Sequence, residues 1–182
     1  DHLMLSSPRI HDYPVLFIIV NDQFELTETE QANVLEYVEQ GGFLFLDNPR
    51  GNIDLSDVKA SSRKLVGDVF NGQAHFVPLT GGHELYHAFF DFDRPPLGVD
   101  RDPVITPGRE GADGEPRRYI RPKAIEYLES IQYRGRMVGL YSDKGYILKM
   151  SLNTDNEPQL KFGVNIVVYS LLRQLPEHET GN

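Results

Sequence analysis

Val15-Leu16-Phe17-Ile18-Ile19-Val20 and, after one intervening helix-like stretch, Phe43-Leu44-Phe45-Leu46-Asp47 decide how this chain is read. Both are continuous apolar runs rather than alternating ones, the pattern of strands covered on both faces, as in a parallel sheet flanked by helices. Between them Thr27 is followed three residues later by Glu30, a capping-box start. Apolar residues at Ala32, Leu35 and Val38 then precede Gly41-Gly42, where glycine closes a helix. Strand, helix and strand within this span predict a βαβ unit with the two strands adjacent, parallel and central.

Working outward, residues 57–70 read as a second amphipathic helix and 75–79 as a further strand. Residues 2–5 give only a short strand signal. The span 91–118 is dense in Pro, Gly, Asp and Arg and reads as a long surface excursion. A hairpin is expected next, with arms at 127–132 and 137–141 around Arg134-Gly135, although 122–131 also admits a helix. The last element, 160–175, is a helix. Its residues Leu160, Val164, Val167, Val168, Leu171 and Leu172 share one side, which is expected to pack on the sheet. The domain is set at residues 1–176, with a disordered tail at 177–182.

Composition narrows the functional classes. Hydrophobic residues are 40% and charged residues 25% of the 182, ordinary for a chain that folds. Eighteen Lys and Arg against 27 Asp and Glu leave a net charge of −9, which repels phosphate backbones, so no nucleic-acid partner is expected. The densest basic group, Arg117, Arg118, Arg121 and Lys123, lacks aromatic interleaving. No apolar run is long enough for a transmembrane segment. The chain has no cysteine, which excludes disulfides, thiolate metal sites and a thiol nucleophile.

Tyr13-Pro14-Val15-Leu16-Phe17, Tyr37-Val38-Glu39-Gln40-Gly41-Gly42-Phe43-Leu44, His83 through His87, Gly139-Leu140-Tyr141-Ser142 and Phe162-Gly163-Val164-Asn165-Ile166-Val167-Val168-Tyr169 together resemble a bacterial domain-of-unknown-function family. Gly-Val-Asn-Ile is the most specific of these elements. The resemblance implies an α/β, flavodoxin-like fold of the class I glutamine-amidotransferase type: a three-layer sandwich with a mostly parallel central sheet. It also implies an exported or membrane-attached setting, and a domain shortened at its N-terminus relative to members with an extra strand and helix. The resemblance carries over no catalytic residue.

In amidotransferase-like folds the strand after the βαβ helix leads to the nucleophilic cysteine, and here that strand ends Leu46-Asp47-Asn48-Pro49. Asp47 at a carboxyl edge, where ligands gather in α/β folds, has the chemistry of a general acid/base or a metal ligand. Asp47 and Asn48 equally suit loop-capping hydrogen bonds, and Asn21 and Asp22 after the neighbouring strand admit the same two readings. The four together define the expected cleft. His83-Glu84-Leu85-Tyr86-His87 matches H-E-x-x-H, in which two histidines one helical turn apart hold zinc and the glutamate activates water. Gly81-Gly82 and Pro95 leave little room for that helix, and Glu110 or Glu115 would have to supply a third ligand from a loop. Ser142-Asp143-Lys144-Gly145 reads as a polar turn, and Tyr86, Phe89, Phe90 and Phe92 as core or interface rather than a pocket.

The expectation is therefore a non-catalytic ligand- or protein-binding and scaffolding domain with no cofactor and no metal, whose partner is an unknown protein or small ligand. The alternative is a metal-dependent hydrolase using His83 and His87 with Glu84 as base, and a third option is a hydrolase using Asp47.

Overall fold

A computed structural model describes residues 2–20, 24–49, 56–99, 105–110, 116–118 and 126–174. In chain order the elements are β1 (Val15–Ile19), α1 (Glu28–Glu39), β2 (Phe43–Asp47), α2 (Ser56–Val69) and β3 (His75–Leu79). There follow β4 (Ile105–Glu110), β5 (Pro116–Arg118), β6 (Leu128–Tyr133), β7 (Arg136–Ser142), α3 (Tyr146–Ser151) and α4 (Glu157–Gln174). Two 3-10 turns, Pro8–Asp12 and Glu84–His87, complete the described elements.

The fold is α/β around an open five-stranded sheet of order β1-β2-β7-β6-β3. β1 pairs with β2 and β2 with β7 in parallel, whereas β7 with β6 and β6 with β3 are antiparallel. The sheet is thus mixed where a mostly parallel one was expected. The expected hairpin is the cause. Arg134 and Gly135 both take positive φ (47° and 77°), the geometry of a two-residue hairpin loop. That hairpin turns β6 against its neighbours and inserts β7 beside β2. β4 and β5 form a separate two-stranded ladder inside the span read as an irregular excursion.

β2 is buried at all five positions, as its sequence demands. Alternate side chains enter two cores: Leu44 and Leu46 face the layer of α1 and α2, while Phe43 and Phe45 face that of α3 and α4. β1 is adjacent and parallel to β2 but not central. It forms the sheet edge, and Phe17 and Ile19 are 41% and 46% exposed. Leu16 faces one core and Val15 the other, so the apolar run reflects helices on both faces at its start.

The α1 capping box forms as its sequence specifies. The Thr27 hydroxyl accepts from the Glu30 amide, and the Glu30 carboxylate accepts from the Thr27 amide. At the other end Gly42 lies beneath the Tyr37 ring, where a Cβ would come within 2.3 Å of the ring carbons. The Tyr37 hydroxyl donates to the Phe43 carbonyl and accepts from the Phe43 amide, fastening α1 to the start of β2.

α4 reverses the expected face. Its buried residues are Gln159, Phe162, Asn165, Ile166, Tyr169 and Ser170, whereas Leu160, Val164, Leu171 and Leu172 are exposed and Val167 and Val168 half-buried. Tyr169 and Phe43 meet edge to face, and Phe162 packs among Tyr86, Phe92 and Tyr146. Aromatic bulk, which the aliphatic periodicity underweights, fixes the side that docks.

Candidate functional site

β1, β2 and β7 run parallel and therefore finish on the same side of the sheet, the edge where ligands gather in open α/β folds. Asp47 ends β2 and is fully buried. Its backbone carbonyl accepts from the Val20 amide, and its carboxylate Oδ2 accepts from the Ile147 amide at 2.8 Å. Ile147 lies in the first turn of α3, whose cap residue is Gly145, a residue with no side chain to cap with. Asp47 supplies from another strand the acceptor that a Ser or Asp cap would normally provide. Gly145 is required here on two counts. Its φ is +63°, and a Cβ would fall 2.2 Å from the Val99 side chain.

Burial raises the Asp47 pKa to about 6, opposed by the Ile147 amide, the Ser142 hydroxyl and the amides of Tyr146 and Gly145. Oδ1 of the same carboxyl is buried without a hydrogen-bond partner. Asn48 is also buried. Its amide donates to the Ser142 carbonyl at 2.8 Å and its side chain donates to Asp143 Oδ1 at 3.0 Å. The Tyr141 hydroxyl donates to the same oxygen at 2.5 Å, and Lys59 from α2 lies 3.8 Å from Asp143 Oδ2. Burial, with the Asp143 charge beside it, pushes the Tyr141 phenol well above its ordinary value.

A cleft of about 620 Å3 is lined by Phe24 and Glu25 ahead of α1 and by Ala60, Ser61 and Lys64 on α2; Asp47 and Asn48 are not part of its lining. This volume is within the range of small-molecule sites. Lys64 pairs across it with Glu25 at 3.6 Å and along its own helix with Asp68 at 2.6 Å.

Asp47 and Asn48 therefore meet the turn after β7, through Ser142 and Asp143. Asn21 and Asp22 lie outside the described residues. The roles of Tyr141 and Asp143 at Asn48 depend on β7 lying beside β2, and that of Lys59 on α2 reaching Asp143, and no local pattern in the sequence encodes either placement.

His83, Glu84 and His87 occupy a different setting. The segment is a 3-10 turn, in which residues four apart are rotated by about 120° rather than the roughly 40° of an α-helix. His83 caps the turn, its Nδ1 accepting from the Leu85 amide at 3.2 Å while its ring packs on Tyr169. Burial lowers its pKa, against the opposing effect of Glu84. Glu84 is held by Arg173 at 3.1 Å, and His87 Nδ1 lies 3.0 Å from Asp91. Among the described residues no three His, Asp or Glu side chains gather as a metal-ligand set.

Asn165 gives the Gly-Val-Asn-Ile stretch its physical meaning. Fully buried, it accepts from the Phe90 amide at 2.7 Å and donates to the carbonyls of Phe90 (2.7 Å) and Leu85 (3.0 Å). It thereby clamps the segment around 85–90 onto α4. Among the described residues no helix is long and apolar enough to cross a membrane. A search of curated proteins finds no match to the chain. The match that is found spans residues 1–171, and by it the chain belongs to the family described as a domain of unknown function (DUF4159).

Proposed function

We propose that this is a non-catalytic ligand- or protein-binding and scaffolding domain, with an amidotransferase-like, flavodoxin-like arrangement, working through the carboxyl edge of its parallel strands. The observation that carries this reading is the condition of the residues at that edge. Where an amidotransferase-like fold would present a thiol, Asp47 and Asn48 are buried and tied to α3 and to the turn after β7. Their hydrogen bonds hold three chain segments together and present no nucleophile. The cleft between α2 and the segment ahead of α1 offers the volume for a small polar ligand, with Ser61 and the Lys64–Glu25 pair at its wall.

Filling the cleft tests the proposal. A thermal-shift screen of small polar compounds against the purified chain is expected to yield binders that raise its melting temperature, with the shift abolished in Ala60→Trp. Binders whose effect is unchanged in Ala60→Trp would place binding elsewhere. Turnover of ester or peptide substrates that disappears in Glu84→Gln would replace the binding domain with the hydrolase built on His83, Glu84 and His87.

A further inference from the structure

The outward arc of α4 carries an inference independent of the cleft. At about 100° per residue, Leu160, Val164, Val167, Val168 and Leu171 fall within roughly a third of the helix circumference, with Leu172 at its margin. Phe162, Ile166 and Tyr169 occupy the opposite side and fill the core. From 162 to 172 the helix contains no charged residue at all. A helix apolar on every side is one that is covered on every side, yet Leu160, Val164, Leu171 and Leu172 are 41 to 55% exposed.

The order of residues along this arc points to what covers it. Leu160, Val164, Val168 and Leu172 form one ridge at a spacing of four, and the ridge reads Leu-Val-Val-Leu in either direction. Laid antiparallel on an identical ridge, it puts Leu160 opposite Leu172 and Val164 opposite Val168, with the smaller side chains where two helices approach most closely. Spacing-of-four ridges interlock at about −50°, the commonest crossing of packed helices. The six apolar residues make a patch on the order of 400 Å2, at the size where exposed patches mark contacts. A homodimer interface of about 800 Å2 per partner, roughly 65% apolar, needs little more than this from its centre.

Charge argues against other surfaces. Lys161 at the margin is paired with Glu157 at 2.8 Å and Arg173 with Glu84, so the arc presents no unpaired cation to anionic lipid. The net charge of −9 opposes such a surface as well.

We propose that α4 is the interface of a two-fold dimer, the Leu160-Val164-Val168-Leu172 ridge of one copy packing antiparallel against the same ridge of a second. Sedimentation equilibrium of the 182-residue chain is expected to give twice the monomer mass at about 100 μM, with association tightening as salt screens the −9 charge of each copy. Val164→Glu, a change at an exposed position, should leave the circular dichroism spectrum unchanged and shift the dissociation constant at least about a hundredfold. Because the chain has no cysteine, a Val164→Cys, Val168→Cys variant should form a disulfide-linked dimer on mild oxidation. A wild-type chain that stays monomeric, a dimer that survives Val164→Glu, or a dimer that fails to cross-link through these positions would each overturn the proposal. So would a monomer recovered on vesicles or on another protein through this arc.

Discussion

The carboxyl edge around Asp47 and the outward arc of α4 invert polarity and burial in opposite senses. At the edge a carboxyl, a carboxamide and a hydroxyl are sealed from water: Asp47 accepts from the Ile147 amide, Asn48 donates to the Asp143 carboxylate, and Ser142 accepts from the Lys144 amide. On the arc, six aliphatic side chains stand wholly or partly in solvent. Neither arrangement is what hydrophobic burial alone would select. The edge is tolerable because hydrogen bonds replace water for much of its polar surface; Asp47 Oδ1 is left without a partner, and burial of the whole carboxyl raises its pKa. Among the described residues only Val167 of the arc packs against the core cluster beneath α4, so the rest of the arc calls for a surface beyond them.

The largest effect separates the two sides of α4. Ile166→Ala, in the core, should cost about 3 to 4 kcal/mol by urea unfolding. Leu172→Ala should cost less than about 1 kcal/mol at concentrations too low for association. Comparable losses would mean that the arc is part of this chain's own core.

Asp47 gives the next. Its folded pKa of about 6 lies above the ordinary 3.8, so the folded state binds the proton more tightly than the unfolded one. Its contribution is present in full below about pH 4 and is lost as pH rises through about 6, amounting to about 3 kcal/mol. Unfolding of Asp47→Asn should lack this part of the pH dependence, making the variant relatively more stable at pH 7.5 than at pH 4.5. A pH profile identical to wild type would show that the carboxyl is not desolvated as described.

Asn165→Ala strands the Phe90 amide and the carbonyls of Leu85 and Phe90, at a cost of about 2 kcal/mol. Amide exchange at Phe90 should accelerate by more than the global loss of stability explains. Exchange that tracks global unfolding alone would make Asn165 an ordinary core residue and not a local clamp.

The smallest effect is expected at His87, whose replacement by alanine should change stability by less than about 0.5 kcal/mol. Protein purified without chelator should carry well below about one zinc per chain by elemental analysis. Stoichiometric zinc that disappears in a His83→Ala, His87→Ala variant would restore the hydrolase reading.

The sequence reveals this fold wherever the determining forces are local. Thr27 and Glu30 announce α1, Phe43 to Asp47 reads as a buried strand and is one, and Arg134-Gly135 marks the hairpin. What escapes it is set by distant partners. Nothing in Val15 to Ile19 says that β1 ends the strand order of the described sheet, since its helical cover and its one strand neighbour, β2, are set by other parts of the chain. The wrong face of α4 followed from counting aliphatic residues alone, when Phe162 and Tyr169, with Tyr86 and Phe43 as partners, choose the docked side. Asp47 and Asn48 were legible as edge residues. Their engagement with Ser142, Asp143 and Ile147 depends on β7 lying beside β2.

That same seam has a kinetic consequence. The pairing of β2 with β7 joins halves of the chain that meet at Asn48 and Asp143, 95 positions apart, whereas the β6–β7 hairpin closes over two residues and the β1-α1-β2 unit over a few tens. Loop-closure entropy favours the near contacts first. The hairpin and the βαβ unit are therefore expected to form before the sheet closes along Leu44 to Asp47, and stopped-flow refolding of Leu46→Ala is expected to be slowed accordingly. Substitutions in that seam should retard refolding more than they hasten unfolding, so the middle of the sheet governs how fast the domain appears after synthesis.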